Sequence, residues 1–176
     1  EFESEQVYID HAHACLEATR REVEAMRGEV EDGRGGTHQN RFERDVMWDR
    51  VDARLRQLDL GEMSLVFGRI DTEAVPDGPS GAAGHEPETF YIGRMAVSDS
   101  ARDPVVVDWR APVAETFYRA TGVDPMGLRR RRHFATRGTR LLGIDDELFG
   151  SATEALDEGR VQGHGALISA LEESRS

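Results

Sequence analysis

The side chains best suited to binding chemistry form a run of four arginines, Arg129, Arg130, Arg131 and Arg132. Guanidinium groups bind phosphates through two parallel hydrogen bonds, so contact with a phosphate or a partner is one interpretation of this run. The other interpretation is a strand whose alternate arginines face solvent and the acidic segments. The net charge of −12 favours the second interpretation, because an acidic chain repels phosphates.

Three carboxylates, Glu29, Glu31 and Asp32, lie within the glycine-rich stretch at residues 28–37. Glycine tolerates backbone conformations that break a helix, so this stretch predicts a chain reversal with the carboxylates at its tip. Hard cations take oxygen ligands, and a tip of this kind also fits a basic pocket of a partner. Partner binding is one interpretation of these carboxylates, and solvated turn residues are the other.

Asp108, Trp109, Arg110 and Pro112 belong to a compact DWRAP string. An Asp and an Arg two residues apart share one face of a strand, so a local ion pair or a carboxylate that accepts from a backbone amide explains the pair. We therefore expect a structural motif here. The alternation of apolar and polar residues around Pro112 predicts that Trp109 and Phe117 lie in the core.

Several kinds of catalytic centre are excluded by residue types. All 22 basic residues are arginines, so a P-loop lysine, a Schiff-base lysine and a Ser-Lys dyad are excluded. Cys15 is the only cysteine, and His11 and His13 lie on different faces of a helix because they are two residues apart. We predict no catalytic residue, no metal site and no bound cofactor in this chain.

The composition favours a protein partner. The 176 residues contain 34 acidic and 22 basic side chains, and this excess of negative charge disfavours general binding to nucleic acid. No apolar run approaches the roughly 20 residues that cross a bilayer, and the N-terminal residues lack the pattern of a secretion signal. We expect a monomeric, cytoplasmic protein that does not contact membranes.

Two apolar stripes in the first 60 residues repeat at steps of three and four, the period of a helix. Their members are Tyr8, Ala12, Cys15, Thr19, Val23, Met26 and Val30 in the first stripe, and Trp48, Val51, Leu55 and Leu58 in the second. We expect two helices of roughly 24 and 20 residues that form a long antiparallel hairpin, a coiled-coil arm about 30 to 35 Å long.

The following residues change to a composition typical of strands, rich in Val, Ile, Phe, Tyr and Thr. The predicted strand segments are 65–71, 89–99, 104–121 and 128–146. A long polar loop, predicted to be mobile, separates the first two. After Gly150, Ser151 and Glu154 form a capping-box pattern, and Ala166–Glu173 is amphipathic.

These patterns predict an α+β fold in three parts. A helical hairpin arm covers residues 1–62, a small and mostly antiparallel β-rich domain covers 63–148, and a helical linker with a C-terminal helix covers 149–176. The net charges of residues 1–60, 61–140 and 141–176 are −6, 0 and −6, which supports a division of this kind.

Four strings spread over residues 65–149 closely resemble the N-terminal region of the HelD-type, UvrD-like helicase-fold ATPases that bind bacterial RNA polymerase, especially their actinobacterial branch. The strings are LVFGRID, YIGR, VVDWRAPVAETFYRAT and RRRRHFATRGTRLLGIDDELF. The helical part at 4–60 matches this family by pattern and position only. In the family, the nucleotide-binding motifs follow a stretch like GHGALISALEESRS, so we expect that this sequence stops just before them.

The resemblance implies a polymerase-binding region without ATPase activity of its own, with ATP and Mg²⁺ bound elsewhere in the full-length protein. It implies that the arm enters the secondary channel of the polymerase, with Glu29, Glu31 and Asp32 facing a basic, magnesium-containing environment. Release or recycling of the polymerase and rifamycin tolerance are further implications. The alternative is an accessory domain of a UvrD-like DNA helicase that contacts nucleic acid through Arg129–Arg132.

Overall fold

The computed structural model describes residues 1–32, 38–78 and 83–150. Helix α1 covers Phe2–Asp32 and helix α2 covers His38–Leu58. The strands are β1 (Val66–Thr72), β2 (Thr89–Gly93), β3 (Val97–Ser98), β4 (Pro104–Asp108), β5 (Leu128–Arg137) and β6 (Arg140–Leu148). A 3-10 turn at Pro112–Ala114 and the short helix α3 at Glu115–Arg119 lie between β4 and β5.

The six strands form one sheet in the order β3-β4-β2-β1-β5-β6. Four of the five strand pairs are antiparallel, and β2 pairs with β4 in parallel. The β5–β6 hairpin closes over the two residues between Arg137 and Arg140, where Gly138 has a φ of +57°. Glycine adopts this left-handed conformation without a steric penalty, which allows the two-residue loop that the pairing of Arg137 with Arg140 requires.

The first half of α1 packs on one face of the sheet. Its buried residues are Glu5, Ile9, Ala12 and Leu16, at steps of four, three and four, which place them on one side of the helix. The three apolar residues share a core cluster with side chains from the strands and with Leu58 at the end of α2. This face of the sheet therefore joins the two long helices to the strands through one continuous core.

The opposite face of the sheet is covered by the 3-10 turn and α3. Ala114, Phe117 and Ala120 share a second cluster with residues of β1, β2 and β5, and with Phe149 just after β6. Phe117 is 4% exposed, so the prediction that it lies in the core is confirmed. Trp109 is 47% exposed, so the corresponding prediction for Trp109 is wrong. Strand β4 ends at Asp108, and the alternation that predicted burial ends with it.

The predicted fold class is wrong. Within the described residues, no long antiparallel hairpin stands apart as a coiled-coil arm, because α1 enters the core of the sheet through Ile9, Ala12 and Leu16. The sheet is mixed, because one parallel pair, β2–β4, joins four antiparallel pairs, so the strands are mostly antiparallel as expected. The predicted C-terminal helix and most of the helical linker lie outside the residues that the structure describes. The predicted boundaries near 62 and 148 stay predictions.

Several predicted elements have other boundaries in the structure. The chain is helical at Gly28, and α1 continues to Asp32, because the loss of stability from one glycine is small, about 1 kcal/mol. The segment 104–121 contains a strand only at Pro104–Asp108, followed by the 3-10 turn and α3. The segment 128–146 contains most of a two-stranded hairpin. Propensity alone does not locate such turns inside an apolar segment.

Among the residues that the structure describes, no helix combines the length and the apolar character that a membrane span requires.

The contact between Gly68 and Phe117 gives the first prediction. A Cβ atom at residue 68 would overlap the Phe117 ring, whereas a Cβ atom at Gly143 would lie 3.8 Å from the Cβ of Ala135, an ordinary contact. We expect Gly68→Ala to lower the free energy of unfolding by about 1 to 3 kcal/mol, because an overpacked core forces its neighbours to shift. Gly143→Ala is the matched control in another strand. Chemical denaturation of both variants measures the difference, and equal stabilities would contradict the packing.

Candidate functional site

The arginine run lies in the middle of the sheet, on strand β5, and its side chains alternate between the two faces. Arg130 and Arg132 reach the face covered by α1, where they bind acidic groups. Arg131 reaches the opposite face and donates to the backbone carbonyls of Phe117 and Ala120, at 2.9 and 3.0 Å. Successive residues of a strand point to opposite faces, so the run divides into two unequal sites.

Glu5 is the centre of the site on the α1 face, and its side chain is buried. Arg132 Nη1 and Arg69 Nη1 both donate to Glu5 Oε1, at 2.5 and 2.6 Å. The hydroxyl of Tyr91 donates to Glu5 Oε2 at 2.7 Å. One carboxylate of α1 is therefore bonded to side chains of three adjacent strands, β2, β1 and β5.

Asp71 is a second buried carboxylate in the same network. It accepts hydrogen bonds from Arg69 Nε at 2.9 Å, Arg130 Nε at 2.6 Å and Thr89 Oγ1 at 2.8 Å. Burial acts to raise the pKa of Asp71, but the bonds from its three partners outweigh burial and hold the pKa below its usual value. Asp71 is therefore a carboxylate that the protein holds in its charged form.

Arg132 is the most deeply buried charge of the network, with 1% of its surface exposed. Beyond its bond to Glu5, it binds Asp146 through two parallel hydrogen bonds, Nε to Oδ1 at 2.6 Å and Nη2 to Oδ2 at 2.7 Å. These bonds lower the pKa of Asp146 and outweigh the opposing effect of burial. A bidentate pair of this kind is stronger and more directional than a single charged hydrogen bond.

This buried polar network joins α1 to four strands, and it holds three arginines that a phosphate would otherwise attract. We define it as Glu5, Arg69, Asp71, Thr89, Tyr91, Arg130, Arg132 and Asp146. On the other face, Arg131 forms an ion pair with Glu147. Contact of the arginine run with a phosphate or a partner stays a prediction, and the exposed member of the run is Arg129.

The sequence contained a signal for this network that the interpretation missed. Glu5, Ile9, Ala12 and Leu16 follow a helical step pattern with a charged first member, and a single carboxylate on an apolar face requires a buried partner. The predicted stripe shares Ala12 with the buried one, and its Tyr8 and Cys15 each lie one residue before the buried Ile9 and Leu16. Its Tyr8 is half-buried, stacks on Tyr91 at 3.6 Å between ring centroids and donates to the carbonyl of Val105.

The predicted carboxylate tip lies partly outside the described side chains. Glu29 is exposed on α1, and the side chains of Glu31 and Asp32 are not among those that the structure describes. Within residues 1–32, 38–78 and 83–150, no group of three or more His, Cys, Asp or Glu side chains is arranged to hold a metal ion. The role of the three carboxylates in partner binding stays a prediction.

The remote halves of the two long helices contact each other and carry exposed apolar side chains. We call residues 20–32 of α1 and 38–50 of α2 the distal helical segment. Met26, Phe42 and Met47 are exposed at 55%, 72% and 54%. The guanidinium of Arg27 lies over the Trp48 ring at 5.1 Å from its centroid, which connects the two helices.

The DWRAP string forms a turn that is fixed by its own aspartate. Asp108 Oδ1 accepts from the backbone N–H of Arg110 at 2.8 Å, and its two oxygens pair with the Arg110 guanidinium at 3.0 and 2.8 Å. These bonds lower the pKa of Asp108. Both expected arrangements, the local ion pair and the capped backbone amide, are present. Pro112 opens the 3-10 turn that follows.

The position of Glu5 gives the second prediction. Replacement by alanine leaves Arg132 buried with part of its charge uncompensated, so we expect Glu5→Ala to lower the free energy of unfolding by about 3 to 5 kcal/mol. Glu3→Ala is the matched control, because Glu3 lies in the same helical turn but is exposed, and its loss costs under about 0.5 kcal/mol. Urea denaturation of both variants measures the difference, and similar midpoints would contradict a stabilising role of the network.

The lowered pKa values of Asp71 and Asp146 give the third prediction. A carboxylate with a pKa that is lower in the folded than in the unfolded state adds stability above the unfolded pKa of about 4, and this stability is lost as the pH falls through the folded pKa. We expect the free energy of unfolding to decrease below about pH 4. Asp146→Asn should be less stable at pH 7 and less sensitive to acid. A parent and variant with parallel pH profiles would contradict this result.

Comparison with known proteins gives two findings. No curated protein matches the chain. A protein family described as "DNA helicase IV HelD, N-terminal domain" matches residues 2–162, which is most of the 176 residues. The sheet, the buried polar network and the DWRAP turn all lie within the matched range, and this chain belongs to the HelD N-terminal domain family.

Proposed function

We propose that this chain is the region of a HelD-like helicase-fold ATPase that docks on bacterial RNA polymerase, and that the distal helical segment makes the contact. The observation that carries this proposal is the division of α1 into two halves. The last buried residue of α1 is Leu16, and no residue between Glu17 and Val30 is buried. The second half of the helix is therefore available to a partner.

The length of this exposed part supports a docking role. Residues 17–30 of α1 span about 21 Å at 1.5 Å per residue, which is comparable to the width of a small domain. Within residues 40–58 of α2, only Leu58 is buried. Most of the stability of a helix in a protein comes from packing of an apolar face, so helical residues with little buried surface leave apolar side chains for a partner.

The exposed apolar side chains of the distal helical segment provide the energy for such a contact. Met26, Phe42 and Met47 present large apolar surfaces next to charged residues. Aromatic residues and methionine are enriched where proteins bind one another, and a polar rim around them is typical of an interface that also exists exposed to water.

A protein partner is better supported than a nucleic acid. The net charge of −12 opposes phosphates, and Arg130, Arg131 and Arg132 are already bonded to carboxylates of this chain. RNA polymerase is the partner that the resemblance to HelD-type ATPases implies. The nucleic-acid-contacting alternative has no comparable observation in its favour.

The remaining parts of the proposal concern the longer protein. We propose that ATP and Mg²⁺ bind to other domains of that protein, and that Glu29, Glu31 and Asp32 approach a basic, magnesium-containing surface of the polymerase. Release or recycling of the polymerase, and tolerance of rifamycins, would then be activities of the longer protein. These statements rest on the resemblance and on the acidic character of the three residues.

Polymerase binding gives the fourth prediction. We expect the double variant Phe42→Gln and Met47→Gln to weaken binding of the chain to purified bacterial RNA polymerase by about tenfold or more, because anchor side chains at interfaces typically contribute above about 1 kcal/mol each. A binding isotherm at fixed salt measures the change. Glutamine preserves helix formation, so the substitution removes apolar surface with little effect on the helix.

The matched control is the double variant Met63→Gln and Val123→Gln, whose parent side chains are also exposed, at 53% and 98%, but lie outside the distal helical segment. It should bind as the parent does. Equal affinities of the two double variants would contradict the proposed contact. Binding of both variants to duplex DNA, with an affinity that falls steeply as salt is added, would instead support phosphate contact.

A further inference from the structure

An aromatic groove remains exposed on the face of the sheet opposite α1. It has a volume of about 400 Å³ and is lined by Phe67, Arg94, Trp109 and Tyr118, which define what we call the aromatic groove. Trp109 and Tyr118 are 47% and 50% exposed, and their rings meet edge to face at 6.3 Å between centroids. Two adjacent large aromatic residues with this exposure form an apolar patch, and such patches mark binding surfaces.

The groove is held in shape by its surroundings. Tyr118 lies on α3 next to the buried Phe117, with 5.2 Å between the ring centroids. The Asp108–Arg110 pair fixes the turn that carries Trp109, and the Arg110 guanidinium lies 5.9 Å from the centroid of that ring. A preformed aromatic surface loses little conformational entropy on binding, which favours affinity.

Two arginines lie beside the aromatic rings. Arg94 uses its Nε to bind the carbonyl of Ser64 at 3.0 Å, and its side chain lines the groove. Arg110 lies at the other side of Trp109, where its Nε and Nη2 pair with Asp108 and its side chain is 68% exposed, so that its Nη1 faces the solvent side of the pair. An occupant that combines an apolar stretch with carboxylates fits this arrangement, because the apolar part covers the rings and the carboxylates reach the guanidinium groups.

We propose that the aromatic groove is the docking surface of residues 151–176 of this same chain. This segment contains five acidic and two basic residues. Its amphipathic stretch Ala166–Glu173 reads ALISALEE, with Leu167, Ile168 and Leu171 followed by Glu172 and Glu173. The stretch therefore supplies both chemical parts that the groove requires, and it supplies them in adjacent residues.

The end of the sheet lies within reach of the groove. Gly150 follows Phe149, which belongs to the same apolar cluster as Phe67, so the chain leaves the sheet on the face that carries the groove. A Cβ atom at Gly150 would lie 3.1 Å from the carboxylate of Glu73, which places this exit at the end of β1. Phe67 is five residues from Thr72 along β1, or about 17 Å. Sixteen residues lie between Gly150 and Leu167, and sixteen residues span about 24 Å even at the short rise of a helix. This length exceeds the distance of about 17 Å to the groove.

The test uses the full chain with Trp48→Phe, which leaves Trp109 as the only tryptophan. Two aspartates are then added in the apolar stretch, Leu167→Asp and Leu171→Asp. We expect the acrylamide quenching constant of Trp109 to rise about twofold and its emission to shift to longer wavelength, because the ring loses its apolar cover. The control adds the same two charges outside the stretch, Ser174→Asp and Ser176→Asp, and should quench as the parent does.

A second experiment tests the charge contact. Arg94→Glu should increase the quenching of Trp109, and the additional changes Glu172→Arg and Glu173→Arg should restore the parent value. Equal quenching in the parent and the Leu167→Asp, Leu171→Asp variant would overturn the proposal. Protection of Trp109 that disappears on dilution, and that both leucine substitutions leave unchanged, would assign the groove to a second copy of the chain and would also overturn it.

Discussion

Glu5 and Arg132 form the buried ion pair on which the arrangement of helix and sheet depends. Both side chains are nearly inaccessible to solvent, and the carboxylate of Glu5 is shared by side chains of β1, β2 and β5. A buried charge is costly unless it is paired and hydrogen-bonded, so each member of the network requires the others. Apolar contacts hold α1 on the sheet, and the network fixes the rotation and the position of the helix along it.

The sequence predicted most of the helices and strand regions, but it did not predict which of them pack on one another. Period and composition located two long helices and the regions that contain strands, and the DWRAP string predicted its own ion pair. The predicted hairpin arm was wrong because the stripe through Tyr8, Ala12 and Cys15 was assigned to a second helix, whereas this stripe packs with Ile9 and Leu16 in the core on the sheet. Helical periodicity shows that a face is apolar and does not show which element covers it.

The charged residues were harder to interpret than the apolar ones. Four successive arginines appear as a basic cluster in a sequence, but a strand divides them between two faces, and each face supplies its own carboxylates. The partners of Arg132 are Glu5 and Asp146, 127 and 14 residues away. Ion pairs between residues this far apart depend on the topology of the sheet, so the residues near Arg132 in the sequence do not show which carboxylates it binds. Trp109 was misplaced for a related reason, since a turn ended the strand one residue before it.

The long separation between Glu5 and Arg132 has a consequence for synthesis on the ribosome. The chain grows from its N-terminus, so α1 emerges first, while β5, which carries its principal partners, emerges more than 120 residues later. During that interval Glu5 lacks Arg132, its most deeply buried partner. Helix α1 therefore cannot reach its final place on the sheet until nearly all of the described residues have been made.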